Sequence, residues 1–180
     1  WHIPHLESTT AHRAGCCIGP VNQVGVVQRA AVRFEDAVDG LGFVEQIRVD
    51  VCIQNQPVKI VGVGGGLAYG TLGPTHHSLE DMAILRALPN MTVISPCDPV
   101  ESRKATRAAF EHPGPVYIRL GRHGEPQLHV GDYEFEIGRA VEMRSGSDAT
   151  IVSTGAVTKI ALDAADRLAE RGIVARGLNV

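Results

Sequence analysis

Two histidines stand side by side in the turn Gly73-Pro74-Thr75-His76-His77, between a glycine run at Gly64-Gly65-Gly66 and a segment that opens at Ser78. Imidazole gains and loses a proton near neutral pH, so a loop histidine can donate to or accept from the hydroxyls of a ligand. The plain alternative for His76 is a cap on the helix that follows, and His77 fits a supporting position. Arg119 and Arg122 belong to Val116-Tyr-Ile-Arg-Leu120-Gly-Arg122. A planar guanidinium suits a phosphate dianion better than a point charge does. Arg122, just past the end of an apolar run, is the stronger candidate; Arg119 lies inside the run. The plain alternative for both is a surface charge. The glycine run lacks G-x-G-x-x-G spacing, and no acidic residue marks the end of the next strand, so a nicotinamide site is not supported. His2 and His5 have no acidic or cysteine partners, so no metal site is expected there. Cys16, Cys17, Cys52 and Cys97 form no C-x-x-C pair and fit reduced thiols in a cytoplasmic protein, with Cys97 in the core.

The elements that must position these residues follow from the pattern. Val58–Val63 is an apolar, β-branched run ending at the glycines, which predicts a buried parallel strand. Ser78, with Asp81 three residues on as a capping-box partner, predicts a helix whose stripe is Met82, Ile84, Leu85 and Leu88, stopped at Pro89-Asn90. Met91–Ser95 predicts a strand. Asp98-Pro99-Val-Glu101 predicts a capped helix closed by Pro113-Gly114, and Val116–Leu120 a third strand. Strand, helix, strand, helix, strand implies a three-layer α/β domain with a parallel sheet and right-handed crossovers. Residues 121–135 read as a polar connector. Ala149–Ser153, Val157–Arg171 and Ile173–Val180 then form one strand–helix–strand unit, an incomplete second α/β domain that looks cut short. Residues 1–41 follow neither period, and Val24–Val27 with Ala30–Val32 fit strand or helix. The expected division is 1–124, a connector at 125–135, and 136–180.

Composition bounds the function. The 180 residues carry 17 basic and 20 acidic side chains, a net charge of −3, which leaves no excess positive charge for a nucleic-acid backbone. A hydrophobic fraction of 44% supports a packed core. No apolar run approaches the roughly 18 residues of a membrane span. The chain begins with Trp1, no signal segment follows it, and the start is expected not to be a natural one.

The run from Val58 to Ser102, VKIVGVGGGLAYGTLGPTHHSLEDMAILRALPNMTVISPCDPVES, resembles the pyrimidine-binding domain of transketolases, of the split kind in which this domain and the C-terminal domain form a separate polypeptide. EQIRVDVCIQNQPVKIVG before it and GPVYIRLGR after it fit the same family. FEIGRAVEMRSGSDATIVSTGAVTKIALDAADRLAERGIVARGLNV resembles the opening of the family's C-terminal domain. The resemblance implies thiamine diphosphate chemistry, in which a two-carbon ketol unit is cleaved from one sugar phosphate and passed to an aldehyde. It implies a cofactor held between two subunits. A partner, the N-terminal diphosphate-binding subunit, would hold the diphosphate and Mg²⁺, in a dimer or heterotetramer. Gly131-Asp132-Tyr133 is not the G-D-G…N metal-diphosphate motif, so no metal is expected on this chain.

By the same resemblance His76 is the active-site histidine, Arg122 the arginine that grips a sugar phosphate, and Gly64 part of the substrate-binding loop. Many transketolases carry a histidine at the position of Gly64 and an aspartate at that of Leu72. Those side chains read donor hydroxyls, so the donor's identity is left open. The family's cofactor-activating glutamate belongs upstream, followed by a stacking aromatic. Glu7 in HIPHLES is the candidate counterpart, at a long spacing from Glu45, and Phe34 is the nearby aromatic, out of phase. A shift of reading frame across residues 1–41 would account for the mismatch: Cys16-Cys17-Ile18-Gly19, read one base away, becomes the Ala-Ala-Ser type of run the family has there. Competing expectations are a deoxyxylulose-phosphate synthase-like subunit, a 2-oxo acid dehydrogenase beta-like subunit, and a fragment that folds without chemistry.

Overall fold

A computed structural model describes residues 44–122 and 124–180, together with the backbone of two strands upstream, β1 (Cys16–Ile18) and β2 (Ala30–Phe34). His2, His5 and Glu7 lie outside the described residues, and so does the side chain of Phe34. A helical segment follows, α1 (Val44–Gln46) continuing as π-helical turns over Ile47–Ile53. Then come β3 (Val58–Val63), α2 (Asp81–Arg86), β4 (Thr92–Ile94), α3 (Pro99–Glu111) and β5 (Val116–Leu120). The strands form a five-stranded sheet in the order β1-β2-β3-β5-β4. It is parallel from β2 to β4, with β1 antiparallel at its edge. The α/β class expected from the alternation is what the chain adopts. The two upstream strands fall where the sequence shows no period, because each is short and borrows its register from a neighbour.

Alternation along β5 builds the layers. Tyr117 points to one face, where it packs with Ile47, Cys52, Ile60 and Leu85. Val116 and Ile118 point to the other, against Ile94, Ala105 and Ala109 of β4 and α3. A strand turns successive side chains to opposite faces, so one strand feeds both cores and the sheet is covered on both sides. The small Ala105 and Ala109, both fully buried, let α3 approach closely. Asp98 caps α3 as expected, its Oδ1 accepting from the Glu101 amide at 2.7 Å.

The expected capping box at Ser78 is overturned. Helix α2 begins only at Asp81, and Ser78 instead forms a β-bridge with Gly66. Asp81 closes no cap: its carboxylate is fully buried, Oδ2 accepts from Tyr117 and Arg119, and Oδ1 has no hydrogen-bond partner among the described residues.

The second unit holds β6 (Val141–Arg144), β7 (Ala149–Ser153), α4 (Val157–Ala169) and β8 (Ala175–Asn179). The strand–helix–strand core is present, but β6 adds an antiparallel strand, in the order β6-β8-β7. The run Val141-Glu-Met-Arg144 alternates over too few residues to announce itself, and its pairing with β8 carries an irregularity between Glu142 and Arg144. The two sheets meet at α3. Asn179 at the end of β8 is buried and donates through Nδ2 to both carboxylate oxygens of Glu101 at 2.9 Å. Thr158 donates to Asn179 Oδ1 at 3.1 Å, which satisfies the amide from its other side.

Candidate functional site

Three loops converge at the carboxyl edge of the parallel strands, where ligands of open α/β sheets collect. The glycine loop leaves β3, the loop 67–80 carries His76, and Gly121-Arg122 leaves β5. Backbone hydrogen bonds tie them together. Gly64 N donates to Leu120 O at 3.1 Å and to Gly121 O at 3.4 Å, and Gly65 N to Leu120 O at 3.2 Å. Gly66 and Ser78 exchange both bonds, at 2.7 and 3.1 Å. All three glycine amides are therefore spent inside the protein, and the run is not an anion cradle of free N–H groups.

Beneath the loops lies a charge network. Arg119 donates through Nε to Asp81 Oδ2 at 3.1 Å and through Nη2 to Ser78 O at 2.9 Å, while the Tyr117 hydroxyl donates to Asp81 Oδ2 at 2.8 Å. Burial, then the neighbouring Asp81 carboxylate, push the Tyr117 hydroxyl well above its ordinary range. A Cβ on Gly65 would overlap the Arg119 guanidinium, so the glycine lets the cation slide under the loop. Arg119 is thus a structural tie between β5 and the His76 loop.

His76 ends a short 3₁₀ turn, Pro74–His76, and is half-buried. Its Nδ1 lies 3.0 Å from Thr75 Oγ1, which leaves Nε2 as the nitrogen to meet a ligand. The neighbouring His77 Nε2 and Ser78 Oγ are buried without a hydrogen-bond partner among the described residues. Arg122 is exposed, with its guanidinium carbon 5.0 Å from the centre of the Tyr69 ring. Gly64 adopts φ +81°, and a Cβ there would overlap that same ring. The structure therefore joins Gly64 and Arg122 through Tyr69, and joins His76 to Thr75 and, by way of Ser78, to Gly66. Tyr69 was not singled out from the sequence; an aromatic between glycines in a loop was its available signal. A hollow of about 750 Å³ lies elsewhere, between α3 and the segment Asp132–Phe135, lined by Arg103, Lys104, Arg107 and Tyr133.

A second polar cluster sits at the start of α3. Cys97, Asp98 and His129 place their ligating atoms within 4.8 Å of one another, all buried. Asp98 Oδ2 accepts from the amides of Leu128 and His129 at 2.8 Å each and lies 3.1 Å from His129 Nδ1. Burial alone would raise the Asp98 carboxyl, but the amides of Glu101, His129 and Leu128 hold it below the usual carboxylate range. Burial, then the hydrogen bond and charge of Glu101, raise the Cys97 thiol far above its ordinary value, so it stays protonated and packs in the core. Both Asp98 oxygens are occupied by protein donors, so the cluster acts as a clasp that fixes the connector to α3.

Residues 37–125 match the family described as "Transketolase, pyrimidine binding domain", and residues 138–180 match "Transketolase, C-terminal domain". The chain is 43% identical over 137 residues to an apulose-4-phosphate transketolase subunit of Phocaeicola vulgatus, a match covering 76% of this chain and 44% of the relative. It is 34% identical over 172 residues to "1-deoxy-D-xylulose-5-phosphate synthase 1" of Geobacter sulfurreducens, covering 87% of this chain and 27% of the relative. Among solved structures it superposes on "Split gene transketolase, inactive beta4 tetramer" with a TM-score of 0.75 and 39% identity, over 87% of this chain and 49% of that one. The chain spans less than half the length of these curated relatives.

Proposed function

The chain belongs to the transketolase family, a thiamine diphosphate-dependent family, and on that premise we propose that it supplies the pyrimidine-binding side of a split transketolase. In this proposal it transfers a two-carbon ketol unit between sugar phosphates, in complex with a cytoplasmic N-terminal subunit that holds the diphosphate and Mg²⁺. The division at a connector over 125–135 belongs to the same proposal. Among the described residues, no helix is long and apolar enough to cross a membrane.

One observation carries the proposal: the carboxyl-edge loops present imidazole and guanidinium groups but no open phosphate cradle, because the Gly64, Gly65 and Gly66 amides are consumed by Leu120, Gly121 and Ser78. That fits one half of a shared site. The buried, unpartnered His77 Nε2 and Ser78 Oγ fit a ligand with polar edges, such as an aminopyrimidine ring. When bound, the cofactor supplies the electron sink for breaking the carbon–carbon bond beside a ketose carbonyl. This chain's residues orient and move protons. Thr75 holds Nδ1 of His76, and Nε2 exchanges a proton or hydrogen bond with a substrate hydroxyl. Arg122 takes the substrate phosphate through its N–H fork.

The test is reconstitution with a diphosphate-binding subunit. Ketol transfer is expected only from the complex, and His76→Ala is expected to lower kcat by roughly 10²-fold without loss of folding. Transfer by this chain alone, with thiamine diphosphate and Mg²⁺, would overturn the proposal. The similarity to a deoxyxylulose-phosphate synthase favours a second reaction in the same superfamily, and offering the complex a 2-oxo acid in place of a ketose phosphate decides between them.

A further inference from the structure

The structure points to Tyr69 as the positioning residue for Arg122, a role that rests on the phosphate binding proposed above for that arginine. Arg122 is exposed and follows Gly121 at the open end of β5. An exposed arginine with nothing beside it spreads over many rotamers, and each bond it makes to a phosphate must first gather them. Here the guanidinium lies over the Tyr69 ring, 5.0 Å from its centre. The ring's negative face attracts the cation while leaving the rim of N–H donors free for a bidentate contact.

The ring itself is held in place. It is half-buried and fills the space above Gly64, where a Cβ would overlap it, and Gly64 at φ +81° has a backbone that disfavours any other residue. Gly64 N in turn donates to Leu120 O and Gly121 O, the two residues that lead into Arg122. The contacts therefore close on themselves: Gly64 seats the ring, the ring carries the guanidinium, and the backbone of Arg122's neighbours holds Gly64. The aromatic face sets the direction of the fork before a phosphate arrives, which lowers the ordering cost of binding. A positioning role of this kind touches phosphorylated substrates and leaves unphosphorylated ones alone.

The experiment uses the reconstituted complex and compares KM for a phosphorylated acceptor, glyceraldehyde 3-phosphate, with KM for glyceraldehyde. Tyr69→Ala is expected to raise the first over the second by roughly three- to tenfold, the worth of a lost cation–π contact. Tyr69→Phe, which keeps the aromatic face, is expected to bring the ratio of the two KM values back toward wild type. In an Arg122→Ala background the Tyr69→Ala effect is expected to vanish, since nothing remains to position. Tyr69→Ala effects that multiply those of Arg122→Ala, or that fall equally on both acceptors, would overturn the inference. An Arg122→Ala variant with unchanged KM for the phosphorylated acceptor would show instead that the phosphate-binding role itself is wrong. Should Tyr69→Ala fail to fold, Tyr69→Leu keeps the bulk against Gly64 without the aromatic face, and the same comparisons decide.

Discussion

Removing the Asp81 carboxylate should cost this fold more than any other single charge deletion near the His76 loop. Asp81→Ala strips the acceptor from two donors at once. The Tyr117 hydroxyl, on a residue only 2% exposed, would be left facing the packed core, and an unsatisfied buried donor costs about 1–3 kcal/mol. Arg119 would lose its Nε partner but keep Ser78 O through Nη2, and its side chain is 20% exposed, so its share falls near the low end, about 1–2 kcal/mol. Together these give about 2–5 kcal/mol, which spans the range for breaking a buried pair by deleting one partner. That is a large part of an ordinary domain's stability of about 5–15 kcal/mol. Urea unfolding followed by circular dichroism reads the change. Tyr117→Phe alone should cost about 1–2 kcal/mol, because Asp81 keeps Arg119. The double variant should then be less destabilised than the sum of the singles, since no hydroxyl remains to be orphaned. A loss below about 1 kcal/mol for Asp81→Ala, or strict additivity with Tyr117→Phe, would refute the network described here.

Two further predictions concern the core of the same unit. Asp98→Ala removes a helix cap and the acceptor for the Leu128 and His129 amides, and is expected to lower stability by roughly 2–4 kcal/mol in thermal or urea melts, more than an ordinary cap substitution. Stability is also expected to fall as pH rises past about 9 to 10. Cys97 and Tyr117 both have folded values raised above their unfolded values of 9.0 and 10.0, so the unfolded chain sheds its protons first. Unfolding midpoints measured across that range should fall less steeply in a Cys97→Ala, Tyr117→Phe variant, with the remaining slope coming from Cys52 and Tyr133, which burial also raises.

Much of the fold was legible because its signals are local. Val58–Val63, Val116–Leu120 and the Asp98 cap announce themselves through β-branched runs and a side chain that bonds its own helix. The site was legible only as a set of residues. His76, Gly64 and Arg122 stand out by type and turn chemistry, but what links Gly64 to Arg122 is Tyr69 and the shared backbone of Leu120 and Gly121, and the His76 loop is tied in separately through Ser78 and Gly66, contacts that no spacing reveals. Asp81 shows the limit most clearly. Three residues after a serine it fits a capping box, and the competing demand of Arg119, half-buried in a strand 38 positions away, decides otherwise. An arginine between Ile118 and Leu120 in an apolar strand was the available clue, because a cation there needs an anion. The short strand Val141–Arg144 escaped for the opposite reason: its register comes entirely from β8.

The pairing of Asn179 with Glu101 makes the covalent connector partly redundant. Leu128 and His129 hang from the Asp98 cap, and Asn179 at the end of β8 hangs from Glu101 in the first turn of the same helix, so the start of one helix holds both the connector and β8. A protease cutting among the exposed residues Gly124, Pro126 and Gln127 would sever the chain without separating the halves. The nicked protein would travel as a single particle until denaturant parted it. The same docking would let the two pieces, made separately, find each other again, with α3 as the template on which the second is seated.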